Sequence, residues 1–327
     1  MNTWTQTSND DTSSSTYLHS YFSEHIQPLL YPLEKLRLNQ MSVIRARIIT
    51  SLFLVIPALA LSWWLFLKFG EKISDILGFL NVLLITALYK WAYRNPSNLY
   101  RTTTKFKIMP IVSKLLGDFT YTVDGKIDPI LFDNSHIIPR YDEYVSEDYI
   151  QGVYHDTEIQ MAEVVLREKR SNGKNTQMVK VFQGICIAMK MKKSFFGQTL
   201  VKKDHGSFLR MFQSKDEGFQ KVILEDVKFE NIFEVYSTDQ VEARYILTTA
   251  FMERILQVAD IFKSTGIQCS FFEKHMFLML PLKKNMFEPH PVYKKVLEYK
   301  DIVHFAAEMQ SIFRIVDILK MNQDIGM

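Results

Sequence analysis

Two apolar stretches near the N-terminus limit what this chain can become. Ile48 to Leu67, IITSLFLVIPALALSWWLFL, carries no charge, and its length is the roughly twenty residues an α-helix needs to cross a bilayer's hydrocarbon at 1.5 Å per residue. Ile76 to Tyr93, ILGFLNVLLITALYKWAY, is less apolar. It contains Asn81 and, near its end, Lys90, whose stem can snorkel toward the headgroups. Pro57 is tolerable within the first stretch because neighbouring helices can satisfy the carbonyl it frees. Trp63, Trp64, Tyr89, Trp91 and Tyr93 fall where amphipathic rings settle at membrane interfaces. The reading is a transmembrane hairpin over residues 48–93, with spans at 48–67 and 76–93. The alternative is a single span followed by a buried globular helix.

The flanks give an orientation. Lys35, Arg37, Arg45 and Arg47 precede the first span, and Arg94, Arg101, Lys105 and Lys107 follow the second. The connecting turn, KFGEKISD, balances its lysines with acids. Positive flanks stay inside, so both termini are expected to be cytoplasmic. The first apolar run starts too far from Met1 for a cleavable signal peptide. Cysteine usage fits a reducing compartment: Cys186 and Cys269 are the only two, too few for a disulfide framework. A net charge of +3 and no recognisable binding module argue against nucleic acid as a partner.

The rest divides by composition. Residues 1–15, a Ser/Thr/Asn/Asp tract, cannot bury a core and read as a disordered tail. Residues 16–47 have apolar residues at helical spacing broken by Pro28 and Pro32. They read as short amphipathic juxtamembrane pieces, or as a helix packed on the cytosolic domain. Residues 103–327 form that domain. It opens with a helix ending at Gly117 and a strand, DFTYTVDGKID, with an Asp124-Gly125 turn; residues 126–146 read as irregular.

From Glu147 the period becomes two. EDYIQGVYHDTEIQMAEVVLREKR holds strands that bring Ile159, Met161, Val164 and Leu166 into a core, with a bulge between them. TQMVKVFQGICIAMKMKK answers as a long antiparallel strand, apolar on both faces at its middle as a central strand should be. FFGQTLVKKD follows at once, then KVILED and IFEVYS.

At Asp239 the period becomes 3.6. Asp239 and Glu242 form a D-x-x-E capping pair, and Val241, Tyr245, Thr248, Met252, Ile255, Ala259 and Phe262 share one helical face. Two strands, IQCSFFEK and HMFLMLPL, precede a last helix from Tyr293 to Met321 that buries Val296, Val303, Ala307, Phe313, Val316 and Leu319. Strands in runs, with helices elsewhere, indicate α+β with an antiparallel sheet and two long helices.

The runs EDYIQG, AEV, VFQGICIAMKMKKSFFGQTLVKKD and VILEDVKFENIFEVYSTDQVEARYILT resemble a bacterial family of membrane proteins known as domain of unknown function 3137. The resemblance covers most of residues 30–321 and is best marked at Phe229, Glu230 and Phe233 through Thr248. It implies a two-span anchor, hence the inner membrane, with a cytosolic α+β domain, and brings no catalytic residues with it.

Phosphate loops, nucleophile elbows and common zinc motifs are missing in recognisable form, and no cofactor is expected. His304 and Glu308, an i, i+4 pair, read as a surface interaction. Glu147, Asp148, His155, Asp156 and Glu158, with Asp204 and His205, could form a general base or a metal site if the strands bring them together; separately they are solvated turn residues. Lys190, Lys192, Lys193, Phe195 and Phe196, with Lys202 and Lys203, could rest on anionic headgroups. Alternatively the phenylalanines are core and the lysines a solvated edge. Two function classes follow. The chain is a non-enzymatic, membrane-anchored scaffold or adaptor, with the bilayer and a protein partner or a second copy as its contacts. Or it is a membrane-tethered enzyme or ligand sensor using the His155 and Asp156 region.

Overall fold

The computed structural model describes residues 18–115, 117–171, 173, 175–203, 218–263 and 266–319. The expected disordered tail, Asp204, His205 and the expected helix end at Met321 lie outside them. The chain divides into two compact units, a helical one of residues up to 111 with 288–303, and a sheet unit of 112–287 with the residues from 304 onward.

The helical unit is built on α1 (Gln27–Phe69), preceded by a π-helical turn at Phe22–Ile26. One continuous helix replaces the short pieces expected over 16–47. Pro28 sits in the first turn of α1, directly after the π-helical turn, so the ladder bond it cannot donate falls at that irregularity. Pro32 removes one ladder bond from a helix of 43 residues, and burial of Ile26, Leu33 and Ile44 outweighs that loss. Gly70, at φ 67°, turns the chain directly into α2 (Glu71–Tyr89), and the amide of Asn81 donates to Ser62 Oγ at 3.0 Å between the two helices. A π-helical turn at Lys90–Arg94 leads on into α3 (Asn95–Leu115).

Residues 288–298 form an irregular strap within this unit. The Arg37 guanidinium donates to Glu34 at 2.6 and 2.8 Å and to the Val292 carbonyl at 3.0 Å. Glu288 accepts from Arg101 at 3.1 Å and from the buried Lys105 at 2.9 Å. Ile44, Tyr100 and Val292 form the apolar centre. The last helix, α8 (Tyr299–Leu319), therefore begins six residues after the expected Tyr293. The Glu298 N–H donates to the Asp301 carboxylate at 2.7 Å, the carboxylate half of a capping box.

The sheet unit contains β1 (Phe119–Thr122), β2 (Glu143–Tyr154), β3 (Thr157–Ser171), β4 (Thr176–Lys190), β5 (Thr199–Lys203), β6 (Gln220–Val222), β7 (Phe233–Ser237), β8 (Gln268–Phe272) and β9 (His275–Pro281). All described pairs are antiparallel, in the order β1-β2-β3-β4-β9-β8-β5-β7-β6. The α+β class with an antiparallel sheet and long helices is as the pattern indicates. Adjacency is not, because β5 follows β4 in sequence but the β8–β9 hairpin stands between them. β4 and β9 pair over seven positions, from Gly184 opposite Pro281 to Lys190 opposite His275, with apolar side chains on both strands at the five between, and this long pairing outcompetes the five-residue β5.

The bulge also moves. Ile159, Met161, Val164 and Leu166 are all buried, yet β3 runs unbroken between Met161 and Val164 because both faces of the sheet are covered. In the β2–β3 pairing the irregularity lies on β2, between Glu147 and Ile150, where Asp148 takes φ 54°, and a second register shift, in the β3–β4 pairing, falls between Leu166 and Arg167.

Residues 126–146 are more ordered than expected. Asp128 accepts from the Ile130 N–H at 2.9 Å and caps α4 (Pro129–Asn134), a D-P start signal. This segment covers one sheet face, with Phe132 stacked on Tyr144 and edge-on to Phe277. On the other face, Phe313 of α8 stacks on Phe119 at 4.5 Å. The helix expected from Asp239 is three pieces of structure: α6 (Gln240–Ile246), a break at Leu247, and α7 (Thr249–Ile261) capped by Thr248. A further short helix, α5 (Val227–Glu230), lies earlier in the chain. Because of the break, Met252, Ile255 and Ala259 are buried as expected, whereas Val241 is 79 % and Tyr245 43 % exposed. On α8, Phe313, Val316 and Leu319 are buried but Ala307 is exposed.

Gly184 lies opposite Pro281 in the pairing of β4 with β9. A Cβ there would lie 2.0 Å from the Leu280 carbonyl oxygen and 2.8 Å from Pro281 Cα, and backbone atoms in a paired strand cannot move aside. Gly184→Ala is expected to destabilise the protein by about 1–3 kcal/mol or more, the usual cost of overpacking, read as a lower thermal midpoint.

Candidate functional site

Among the described residues, the acidic and histidine residues singled out in the sequence do not gather in one place: Glu147 and Asp148 lie at the β2 bulge, away from the hairpin tip. His155 and Asp156 are the two central residues of the β2–β3 hairpin, at φ 44° and 64°, the left-handed pair that a two-residue loop requires. His155 Nδ1 lies 3.0 Å from Asp317 of α8, and the Tyr154 hydroxyl donates to the same carboxylate at 3.0 Å. Tyr154 also stacks on His155 at 4.1 Å. These residues fasten the hairpin tip to α8. Asp148 is buried at the bulge and accepts from the Tyr121 hydroxyl in a short hydrogen bond. Burial, followed by the charge of Asp148, pushes the pKa of that phenol up. Glu158 pairs with Lys190 at 2.6 Å, joining two residues the sequence assigned to separate clusters. Both are about half exposed, so the pair adds little stability.

Glu158 and Lys190 instead border a groove of about 330 Å³ across β1, β2, β3, β4 and β9. Asp118, Thr120, Gln151, Gln160 and His275 complete its polar lining. The Tyr149 hydroxyl bonds the Gln151 and Gln160 amide oxygens at 2.8 and 3.2 Å, which sets both side chains. His275 is half-buried, and its Nδ1 is buried without a hydrogen-bond partner among the described residues. Burial holds its pKa below the ordinary histidine value, with Lys190 adding to the effect. The groove therefore offers a neutral imidazole, two carboxylates, one ammonium and two amides to a small polar molecule. The sequence carries one local cue to His275, the EKH run between two apolar strands, with Glu273 at φ 51° marking a tight turn.

The basic and aromatic loop between β4 and β5 splits by role. Phe195 is core, edge-on to Phe271 at 5.7 Å. Phe196 is 97 % exposed. Lys202 is buried and donates to the His136 carbonyl at 2.8 Å. Lys193 lies 3.9 Å over the Tyr245 ring, and Lys192 is exposed. Asp239 caps α6 through the Val241 and Glu242 N–H groups, as expected. Glu242 does not close the capping box. Its carboxylate accepts from the Phe196 N–H at 3.0 and 3.1 Å and from the Gly197 N–H at 2.7 Å. The cap N–H goes to Ser237 Oγ instead.

Cys186 and Cys269 are fully buried, and burial pushes both thiols up, so neither is a ready nucleophile.

Comparison with known proteins agrees with the resemblance read from the motif stretch. Residues 180–321 match the model of a family described as protein of unknown function (DUF3137). The match starts within β4, well after the residue 30 suggested by the wider resemblance. No curated protein matches the chain. Among solved structures, the chain is similar to the crystal structure of the mycobacterial trehalose monomycolate transport factor A, TtfA. That similarity is at 8 % identity and a TM-score of 0.32, over 61 % of this chain and 88 % of that one; a likeness so distant carries no functional argument.

Two outcomes test the site. Because the folded His275 resists protonation, the unfolded chain takes up a proton that the folded one refuses as pH drops below about 6.5, and stability falls there. Above that pH both states are neutral and His275 contributes no pH dependence. His275→Gln is expected to flatten this part of the profile, measured as thermal midpoints at pH 7.5 and 5.5. Glu242→Ala is expected to speed amide exchange at Phe196 and Gly197, since it removes charged acceptors each worth about 1.5–3 kcal/mol. Hydrogen exchange resolved to the 191–198 peptide reads it directly.

Proposed function

We propose that the chain is a membrane-anchored interaction module, a scaffold or adaptor, in which α1 and α2 form the anchor and the sheet unit is held in the cytosol. The supporting observation is the exposure of the apolar stretch itself. Phe53, Ile56, Trp63, Leu67, Ile76, Phe79 and Val82 are each more than 60 % exposed. No residue of the membrane-length apolar window of α1 is buried. So much uncovered apolar surface is costly in water at roughly 25 cal/mol per Å² and costs nothing in hydrocarbon. Both helices are long and apolar enough to cross a bilayer, and the basic residues on the two flanks support cytoplasmic termini and an inner-membrane location. Partners reach the module through its outer surface, where Ile223 and Val227 stand at 70 % exposure or more.

A second reading, a tethered ligand sensor, is favoured by one observation, the unpaired buried Nδ1 of His275 in the polar groove. It takes the place of the His155 and Asp156 site, whose side chains serve the hairpin tip.

The anchor is tested in whole cells. The protein is expected to resist carbonate extraction. Because the native cysteines are buried, a cysteine introduced at the exposed Asp75, early in α2 and between the two apolar spans, should react with an impermeant maleimide from outside. One introduced at Asn175 should react only after permeabilisation. Release by carbonate would overturn the anchor, and a reversed labelling pattern would overturn the orientation.

A further inference from the structure

The loop from Met191 to Gly197 carries an exposed phenylalanine on an ordered support. The Met191 and Phe195 N–H groups donate to the carbonyls of Lys274 and Glu273 at 2.7 and 2.5 Å. The N–H groups of Phe196 and Gly197 are held by Glu242. Phe195 is buried beneath. The Phe196 ring therefore stands 97 % exposed on a backbone fixed from both sides, and Val241 and Tyr245 of α6 extend the apolar surface beside it.

The charges around it are mixed in sign but differ in how they are presented. Lys192 and Lys274 are exposed cations at the loop and the adjoining turn, and the Lys193 ammonium lies beside them over the Tyr245 ring. Two of the three nearby acids have their carboxylates engaged by backbone N–H groups, Asp239 in the α6 cap and Glu242 in the loop; Glu273 is the third. An apolar wedge ringed by lysines matches the bilayer interface, where rings settle below the headgroups and ammonium groups pair with phosphates.

We propose that this loop and the start of α6 dock on an anionic lipid surface, with Phe196 as the inserting side chain and Lys192 and Lys193 as its headgroup contacts. The proposal rests on the anchored reading, because the tether supplies the effective concentration that makes a small contact sufficient. An ordered loop loses little conformational freedom on docking. Lys190, engaged with Glu158, and Phe195, engaged in the core, take no part.

The test uses the full chain in liposomes. Phe196→Cys is labelled with an environment-sensitive maleimide, which the buried Cys186 and Cys269 do not take up, and quenching by nitroxide-bearing lipids is read. The same label at Met178, on the distal part of β4, gives the background. Quenching above background is expected when phosphatidylglycerol is present and not in phosphatidylcholine alone. Lys192→Glu with Lys193→Glu should lower the docked-to-free ratio about tenfold or more, the size expected on losing two headgroup-paired lysines. Quenching that is absent, equal in the two lipids, or indifferent to the lysines would overturn the proposal. A label unquenched in pure lipid but shielded in native membranes would assign the surface to a protein partner and overturn it as well. Carbonate extraction of the same liposomes separates the two claims: a resistant protein with an unquenched label keeps the anchor and loses the docking surface.

Discussion

The pairing of β4 with β3 on one side and β9 on the other is the constraint on which the sheet unit depends. In β4, residues 182 and 184–189 lie between two covered faces, so each residue there has both a strand partner and a packing partner. Cys186 and Ala188 face the cover provided by α4, while Ile185, Ile187 and Met189 face the opposite layer. Each fully buried aliphatic or aromatic side chain contributes about 1.5–3 kcal/mol. A register slip would move every one of them to the wrong face. The hairpin β8–β9 is drawn into the middle of the sheet by this demand, and β5, β7 and β6 are left to extend the far side.

That displacement shapes both candidate surfaces. Inserting β8–β9 brings His275 opposite Lys190, and with it the groove bordered by Glu158. It also requires a crossing from β4 to β5, and the 191–198 loop makes it over the β8–β9 turn. The loop is pinned there by backbone bonds and by Glu242, so an exposed phenylalanine becomes a fixed feature of the surface. The groove and the loop are thus two results of one choice of strand order.

In the helical unit, a few polar contacts do similar work. Arg37 joins α1 to the strap at Val292, and Glu288 joins the strap to α3 through Arg101 and the buried Lys105. Buried charges such as these are tolerated only when paired, and each here has its partner. The apolar stretches of α1 and α2 lack any such cover, and the polar link described between them, Asn81 to Ser62, matches the way apolar helices are joined in lipid.

Much of this was legible locally. The length and apolarity of residues 48–67 and 76–93, the period-two strands, the Asp239 cap and the α+β class follow from side-chain spacing, which acts over a few residues. What lay beyond local reach was set by competition between distant segments. Val241 and Tyr245 share a helical face with Met252, yet a break at Leu247 sends them outward. Glu242 fits a capping box, yet two loop amides outbid the cap. His155 and Asp156 have the chemistry of a site and serve a turn, while His275, with little local signal, lines the groove. The sequence by itself determined the elements and the two apolar helices, because propensity and hydropathy are properties of neighbours in the chain. Only the tertiary structure decided strand order, and with it which charged and aromatic groups meet, because that depends on which of several possible pairings buries the most apolar surface at once.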